Sequence, residues 1–296
     1  MESIIPLDIS SVSLVNRYLS DFPPKISELT FTNLFAWRQT RPVWLYEFDN
    51  TLTFLVKTDI CRNDEMLILG SPTGGLSLAQ VFDKLGKKII GAIGVPGDDT
   101  KDLPLETFTL NQDRDNFDYI YRQEDLAELK GRKYSKKRSH VKQCLNKYDC
   151  SFEYINGQNI DECRELMTRW CNSRECDLDP GLCGESRAIT TAIDLFSDFK
   201  LMGGAVRVDG LIQAFAIGER LNRSTAVWHF EKALPGIEGL SQLINQWFAR
   251  ECLAEFTYVN REQDLGIPGL RQAKESYHPD HLVEKMTIFR KKAPCF

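Results

Sequence analysis

The sharpest chemistry in the 296-residue sequence lies in the run Ser224 to Lys232. Strand alternation there puts Thr225, Val227, His229 and Glu231 on one face, and Ala226, Trp228 and Phe230 on the other. The ionisable face predicts a cleft in which Glu231, with His229 as second base or orienter, takes a proton from an attacking amine. The same pattern also fits a structural hydrogen-bonded pair at a solvated strand end. Farther along, Tyr277 is a candidate acid, since a phenol with an ordinary pKa of about 10 is protonated at neutral pH. Asn260 and Lys274 are candidate substrate contacts in the same tail segment, which also holds Glu262, Asp264 and His278. The plainer alternative is that Lys274 caps its helix while Tyr277 packs. His278 and His281 straddle Pro279 and do not make a metal pair.

Two anion-seeking features accompany this face. The loop Leu234 to Ser241 leads from the strand into a helix, where unpaired backbone N–H groups and the dipole favour an anion. Gly236, Gly239, Leu240 and Ser241 are its candidate donor-binding residues, although two glycines also occur in ordinary loops. Between Lys130 and Lys147 there are eight Lys or Arg and no Asp or Glu, so the rest of the chain holds 29 basic against 42 acidic residues. Lys136, Lys137 and Arg138 at the centre of that run are candidate phosphate contacts. A charge run is commonly a solvated face, but uncompensated cations repel one another unless a partner neutralises them. No base-stacking aromatics interleave with them, which argues against sequence-specific RNA reading.

These residues need elements to hold them. Helical spacing is legible in Ile160 to Cys171, in Ile189 to Phe196 and in the stripe Leu240, Leu243, Ile244, Trp247 and Phe248. Leu201 to Val208, Leu211 to Arg220 and Ser224 to Lys232, joined by Asp209-Gly210 and Asn222-Arg223, predict a three-stranded antiparallel meander. A strand near Phe256 to Val259, a helix near Leu270 to Tyr277 and a strand from Leu282 to Phe289 complete the second half. The first half predicts a helix before Phe22, a helix through Phe31 to Trp37 and a hairpin around Asp49-Asn50. Strands at Met66 to Leu69 and Ile89 to Val95 then flank a helix through Leu78 to Leu85. The basic stretch predicts a helix whose apolar seam is Tyr134, Val141, Leu145 and Tyr148. The order of elements recurs, so two α/β lobes are expected, residues 1–130 and 131–296.

Composition supports a globular chain: 42% hydrophobic and 27% charged residues exclude disordered and fibrous classes. No clean apolar run reaches membrane-spanning length, and the start lacks a basic region followed by an apolar one, so a soluble cytoplasmic protein is expected. The nine cysteines include no C-x-x-C pair. The gaps from Cys163 through Cys171 and Cys176 to Cys183 match no metal signature, and no metal is expected.

Four ordered segments carry a resemblance: 27–38 (Ser-Glu-Leu-Thr-Phe-Thr-Asn-Leu-Phe-Ala-Trp-Arg), 131–138 (Gly-Arg-Lys-Tyr-Ser-Lys-Lys-Arg), 229–233 (His-Phe-Glu-Lys-Ala) and 260–279, from Asn260 to Pro279. Together they resemble a family related to the C-terminal catalytic domain of phosphatidylglycerol lysyltransferase, and the element order is similar to the GCN5-related N-acetyltransferase fold. The resemblance implies an α/β (α+β) protein of two tandem acetyltransferase-like lobes, each a mixed, largely antiparallel sheet flanked by helices. It implies an acyl or aminoacyl transferase moving a group from aminoacyl-tRNA or acyl-CoA, a co-substrate with no permanently bound cofactor, to an amine or hydroxyl acceptor. An acetyl-CoA dependent N-acetyltransferase and a non-catalytic module binding RNA or an acidic partner are the rival readings. The usual Gln/Arg-x-x-Gly-x-Gly/Ala pattern of coenzyme A loops is absent from 234–241.

Overall fold

The computed structural model describes residues 4–174 and 179–291. Cys176 and Cys295 lie outside them, and the other seven cysteines are free thiols. Along the chain run β1 (Ile5–Pro6), α1 (Val12–Asp21), α2 (Phe31–Ala36), β2 (Val43–Phe48), β3 (Thr51–Val56), β4 (Met66–Leu69), β5 (Thr73–Gly74), α3 (Leu78–Leu85), β6 (Ile89–Pro96) and β7 (Phe108–Gln112). Next come β8 (Asp118–Arg122), α4 (Gln123–Glu128), α5 (Ser135–Lys147), β9 (Cys150–Tyr154), α6 (Ile160–Arg174) and α7 (Pro180–Asp194). The chain closes with β10 (Met202–Val208), β11 (Leu211–Arg220), β12 (Thr225–Ala233), α8 (Leu240–Cys252), β13 (Tyr258–Asn260), α9 (Pro268–Glu275), β14 (His281–Val283) and β15 (Lys285–Arg290). No helix among the described residues is long and apolar enough to cross a membrane.

The chain forms two compact units. The first comprises residues 1–118, 263–271 and 282–296, the second 119–262 and 272–281. This differs from the expected division at residues 130/131. Tyr121 and Arg122 of β8 pair with β13 and so belong to the second sheet. In the other direction, β15 lies between β6 and β7 of the first sheet. Strand order, unlike strand existence, is not written in local periodicity.

In the first unit, Asp49 and Asn50 both take positive φ (44° and 53°), as the two-residue hairpin signal predicts, and set β2 against β3. Ser77 and Gln80 form a reciprocal capping box that starts α3, whose Leu78, Val81 and Phe82 are buried. A fully buried ion cluster ties the late segments to this unit. Lys285 Nζ donates to both Glu28 oxygens at 2.7 Å and to Asp118 at 2.6 Å, and Gln263 Nε2 donates to Asp118 at 2.9 Å. Burial raises the Glu28 carboxyl, and the two carboxylates outweigh burial to raise Lys285.

The second unit carries a seven-stranded sheet in the order β14-β8-β13-β12-β11-β10-β9. Its centre is the predicted meander, with β10, β11 and β12 antiparallel. Asp179 caps the start of α7 with Pro180 in its first turn. Leu240, Leu243, Ile244, Trp247 and Phe248 of α8 are all buried, as their stripe predicts. The seam of α5 is instead Tyr134, Val141 and Cys144, while Leu145 is exposed.

Candidate active site

The ladder between β11 and β12 pairs Ile217 with Phe230 and Gly218 with Trp228, so β12 carries one extra residue at His229. Such a bulge interrupts the two-residue period and re-aims the side chains beyond it. The expectation that His229 and Glu231 share a face opposite Trp228 is therefore overturned. Trp228 and Glu231 both reach α8 and Arg261. Trp228 packs edge-on against Phe248, Asn245 Nδ2 donates to Glu231 Oε1 at 2.6 Å, and Arg261 Nη2 donates to Glu231 Oε2 at 3.0 Å. On the other edge of β12, the parallel ladder with β13 ends at Val227↔Asn260, while β12 continues to Ala233. Glu231 stands on the stretch beyond that pairing.

Arg261 is the hub of this arrangement. Its guanidinium lies 4.5 Å from the Trp228 ring, 5.2 Å from Tyr277 and 5.8 Å from Tyr121. Its backbone N–H donates to Tyr119 O at 2.9 Å, and Lys274 Nζ donates to its carbonyl. Lys274 thus holds Arg261 from behind, in place of the substrate contact expected of it. Burial raises the Glu231 carboxyl above the ordinary range, against the pull of the Arg261 charge and the Asn245 hydrogen bond. Burial likewise raises the Tyr277 phenol, which stays protonated throughout the physiological range.

His229 belongs to a separate buried group. Its Nδ1 lies 2.8 Å from Glu262 Oε1 and its Nε2 2.8 Å from Glu219 Oε1. Burial disfavours the imidazolium, but the two carboxylates outweigh it and push the pKa up to about 9. With both nitrogens donating, His229 has no lone pair to offer as a base. Asn260 Oδ1 accepts the backbone N–H of Glu262 at 2.8 Å, so it shapes the turn.

The basic helix divides in three. Lys137 enters the site: its ammonium sits 4.0 Å from the centre of the Tyr277 ring and donates to Ser276 Oγ at 2.7 Å, and burial lowers its pKa. Arg138 caps the end of α4 through the carbonyls of Leu129 and Gly131, a structural task in place of the expected phosphate contact. Lys136 is exposed. The run is also not uncompensated in space, since Lys130 pairs with Glu124 and Glu128, and Lys133 with Asp125.

In the loop 234–241, Gly236 (φ 92°) has open space where a side chain would go. Gly239 (φ 81°) does not: a Cβ there would lie 2.1 Å from His140 O of α5. Its small size serves the packing of α8 on α5. Leu240 is buried, and the Ser241 carbonyl accepts from Asn245 at 2.7 Å. Arg261, Asn245 and Glu219 escape sequence reasoning. Arg261 alone had a signal, standing between Asn260 and Glu262 in a segment dense with polar residues.

The family model for phosphatidylglycerol lysyltransferase, C-terminal, matches residues 20–289. No curated protein matches the chain. Among solved structures, a conserved protein of unknown function from Bacteroides thetaiotaomicron is 32% identical, with 98% of this chain and 100% of that one covered at a TM-score of 0.89. L-PGS from Bacillus licheniformis is 14% identical over 99% of this chain and 95% of its own, at a TM-score of 0.68. FemX is 12% identical over 97% of each chain, at a TM-score of 0.60. The last two likenesses are of fold, and they bear out the tandem acetyltransferase-like architecture. Membership in the matched family supports transferase chemistry in general, and the conclusion from the match over 270 positions and the 32% identical relative is that this chain belongs to the phosphatidylglycerol lysyltransferase C-terminal family.

Proposed function

We propose that the second unit transfers an acyl or aminoacyl group from an activated ester or thioester to an amine or hydroxyl, with Glu231 accepting the acceptor's proton. The observation that carries this reading is the Glu231 carboxyl itself. It is raised by burial, oriented by Asn245 and Arg261, and set where β12 runs on beyond its parallel partner. Backbone groups along such an unpaired stretch can hydrogen-bond an extended substrate arm.

The chemistry balances with the residues present. The acceptor nitrogen or oxygen attacks the acyl carbon and gives its proton to Glu231. The tetrahedral intermediate collapses, and the leaving oxygen or sulfur takes a proton from the Tyr277 phenol. The phenolate then regains a proton and Glu231 releases the one it took, through solvent, which restores both groups for the next turnover. Arg261 and Lys137, both against the Tyr277 ring, favour the negative charge that develops. Lys136 and the exposed cations of α5 suit phosphates of the donor.

Aminoacyl-tRNA is the favoured donor, supported by the name of the family, the exposed cations and the missing coenzyme A loop pattern. Acyl-CoA is the alternative. A thermal-shift series with charged tRNA, uncharged tRNA and acyl-CoA discriminates them. The true donor at 100 times its Kd stabilises the protein by about 2.7 kcal/mol. A shift with acyl-CoA alone would reassign the donor, and no shift with any of them would remove the transferase reading's donor site.

A further inference from the structure

Glu262 is the residue that follows Arg261, and its backbone sits in the left-handed region at φ 59°. A side chain larger than glycine is held there only when its surroundings over-determine it. Here the surroundings are specific. Its N–H is bound by Asn260 Oδ1, its carbonyl accepts from Tyr119 N at 3.1 Å, and its carboxylate is tied to His229 Nδ1 at 2.8 Å. The other His229 nitrogen is tied to Glu219 on β11, the strand against which the β12 bulge is formed.

The His229 side chain is 1% exposed, and those of Glu219 and Glu262 are 14% and 18% exposed. Two carboxylates in such a place repel unless a cation stands between them. The three side chains therefore join β11, the bulge of β12 and the turn after β13 through a single imidazolium. That turn fixes the backbone from which Arg261 reaches Glu231.

We propose that Glu219, His229 and Glu262 are positioning residues, a carboxylate–imidazolium–carboxylate clamp that holds the β12 bulge and the left-handed turn at Glu262 so that Arg261 stays on Glu231. The clamp does not touch substrate. This assignment rests on the reading of Glu231 as the proton acceptor, and it explains why an ionisable histidine lies on a catalytic strand with no nitrogen available for proton removal. It also turns two residues with no role in the transfer chemistry, Glu219 and Glu262, into determinants of it.

The test needs no substrate. In uniformly labelled wild-type protein at pH 7.5, the clamp requires both His229 nitrogens to be protonated and hydrogen-bonded in long-range nitrogen–proton spectra. A neutral tautomer with one bare nitrogen would overturn it. The Glu231 carboxyl is then titrated by its side-chain carbon resonance in the wild type, Glu262→Ala, Glu262→Asp and Glu262→Gln. Withdrawing the carboxylate from His229 should loosen Arg261 and raise the Glu231 midpoint by about one pH unit in the Ala and Asp variants, the size of effect an adjacent opposite charge has. Glu262→Gln keeps an oxygen that accepts from Nδ1 and should return the midpoint to the wild-type value. Should Glu262→Ala not fold, Glu262→Asp decides, because it retains charge and polarity and only shortens the reach. An unmoved Glu231 midpoint in a folded Glu262→Asp protein would overturn the proposal. That outcome would leave the proton-acceptor role of Glu231 standing, since turnover by Glu231→Gln tests it separately.

Discussion

The buried imidazolium makes the stability of the second unit depend on pH in a direction set by the structure. His229 has a folded-state pKa of about 9 against an ordinary 6.5. A raised folded pKa means that the stabilisation is complete below about pH 6.5 and disappears as pH rises through about 9. The gap corresponds to roughly 3 kcal/mol at its limit, most of it present at pH 7 and almost none at pH 10. Solvent screening takes little from this, because the imidazole is 1% exposed. The assay is urea denaturation at pH 6 to 10 of the wild type beside His229→Gln, which cannot titrate in this range. The difference between the two stability curves should shrink by roughly 2–3 kcal/mol from pH 7 to pH 10, with equal urea slopes. Parallel curves would mean that His229 is neutral in the folded protein and that no imidazolium stands between the two carboxylates.

In the first unit, Lys285→Met removes the buried ammonium shared by the Glu28 and Asp118 carboxylates and should cost about 3–5 kcal/mol in chemical denaturation. Gly239→Ala drives a methyl into the His140 carbonyl and should lower stability by more than about 2 kcal/mol. Gly236→Ala meets no neighbour and should cost about 1 kcal/mol from its positive φ alone, both read by thermal unfolding. Lys136→Ala should reduce the slope of log affinity for tRNA against log salt by about 0.7, while Arg138→Ala, which uncaps α4, should lower the melting temperature.

Much of the second unit was legible because its strands and helices obey their own periods. The meander, the stripe of α8 and the hairpin at Asp209-Gly210 appear within a few residues of where alternation and turn chemistry put them. The candidate site was legible only in part. Glu231 stands out as an ionisable group on a largely apolar strand and Tyr277 as a phenol in a polar tail segment, and the structure brings both to one guanidinium. The partnership of Arg261 with Glu231 leaves no local mark, because the two meet through the pairing of β12 with β13, 30 positions apart. The role of His229 was misread for a different physical reason. A bulge adds one residue to one strand without leaving a mark on hydrophobic alternation, so every side assignment after it inverts. The charge run between Lys130 and Lys147 likewise counts no acids in sequence, yet α4 supplies three just before it. Lys274 and Arg138 illustrate the general difficulty, since a cation near a site can serve backbone carbonyls as readily as a ligand.

The most direct measurement is donor consumption. Wild-type protein and Glu231→Gln would be incubated with a pool of charged tRNAs and, in parallel, with acyl-CoA, in the presence of a mixture of amine acceptors, and the loss of acyl label from each donor followed with time. The wild type should consume one donor class, and Glu231→Gln should do so about 100-fold to 10,000-fold more slowly with unchanged melting temperature and donor affinity. Equal rates for the two proteins would contradict the assignment of proton removal to Glu231.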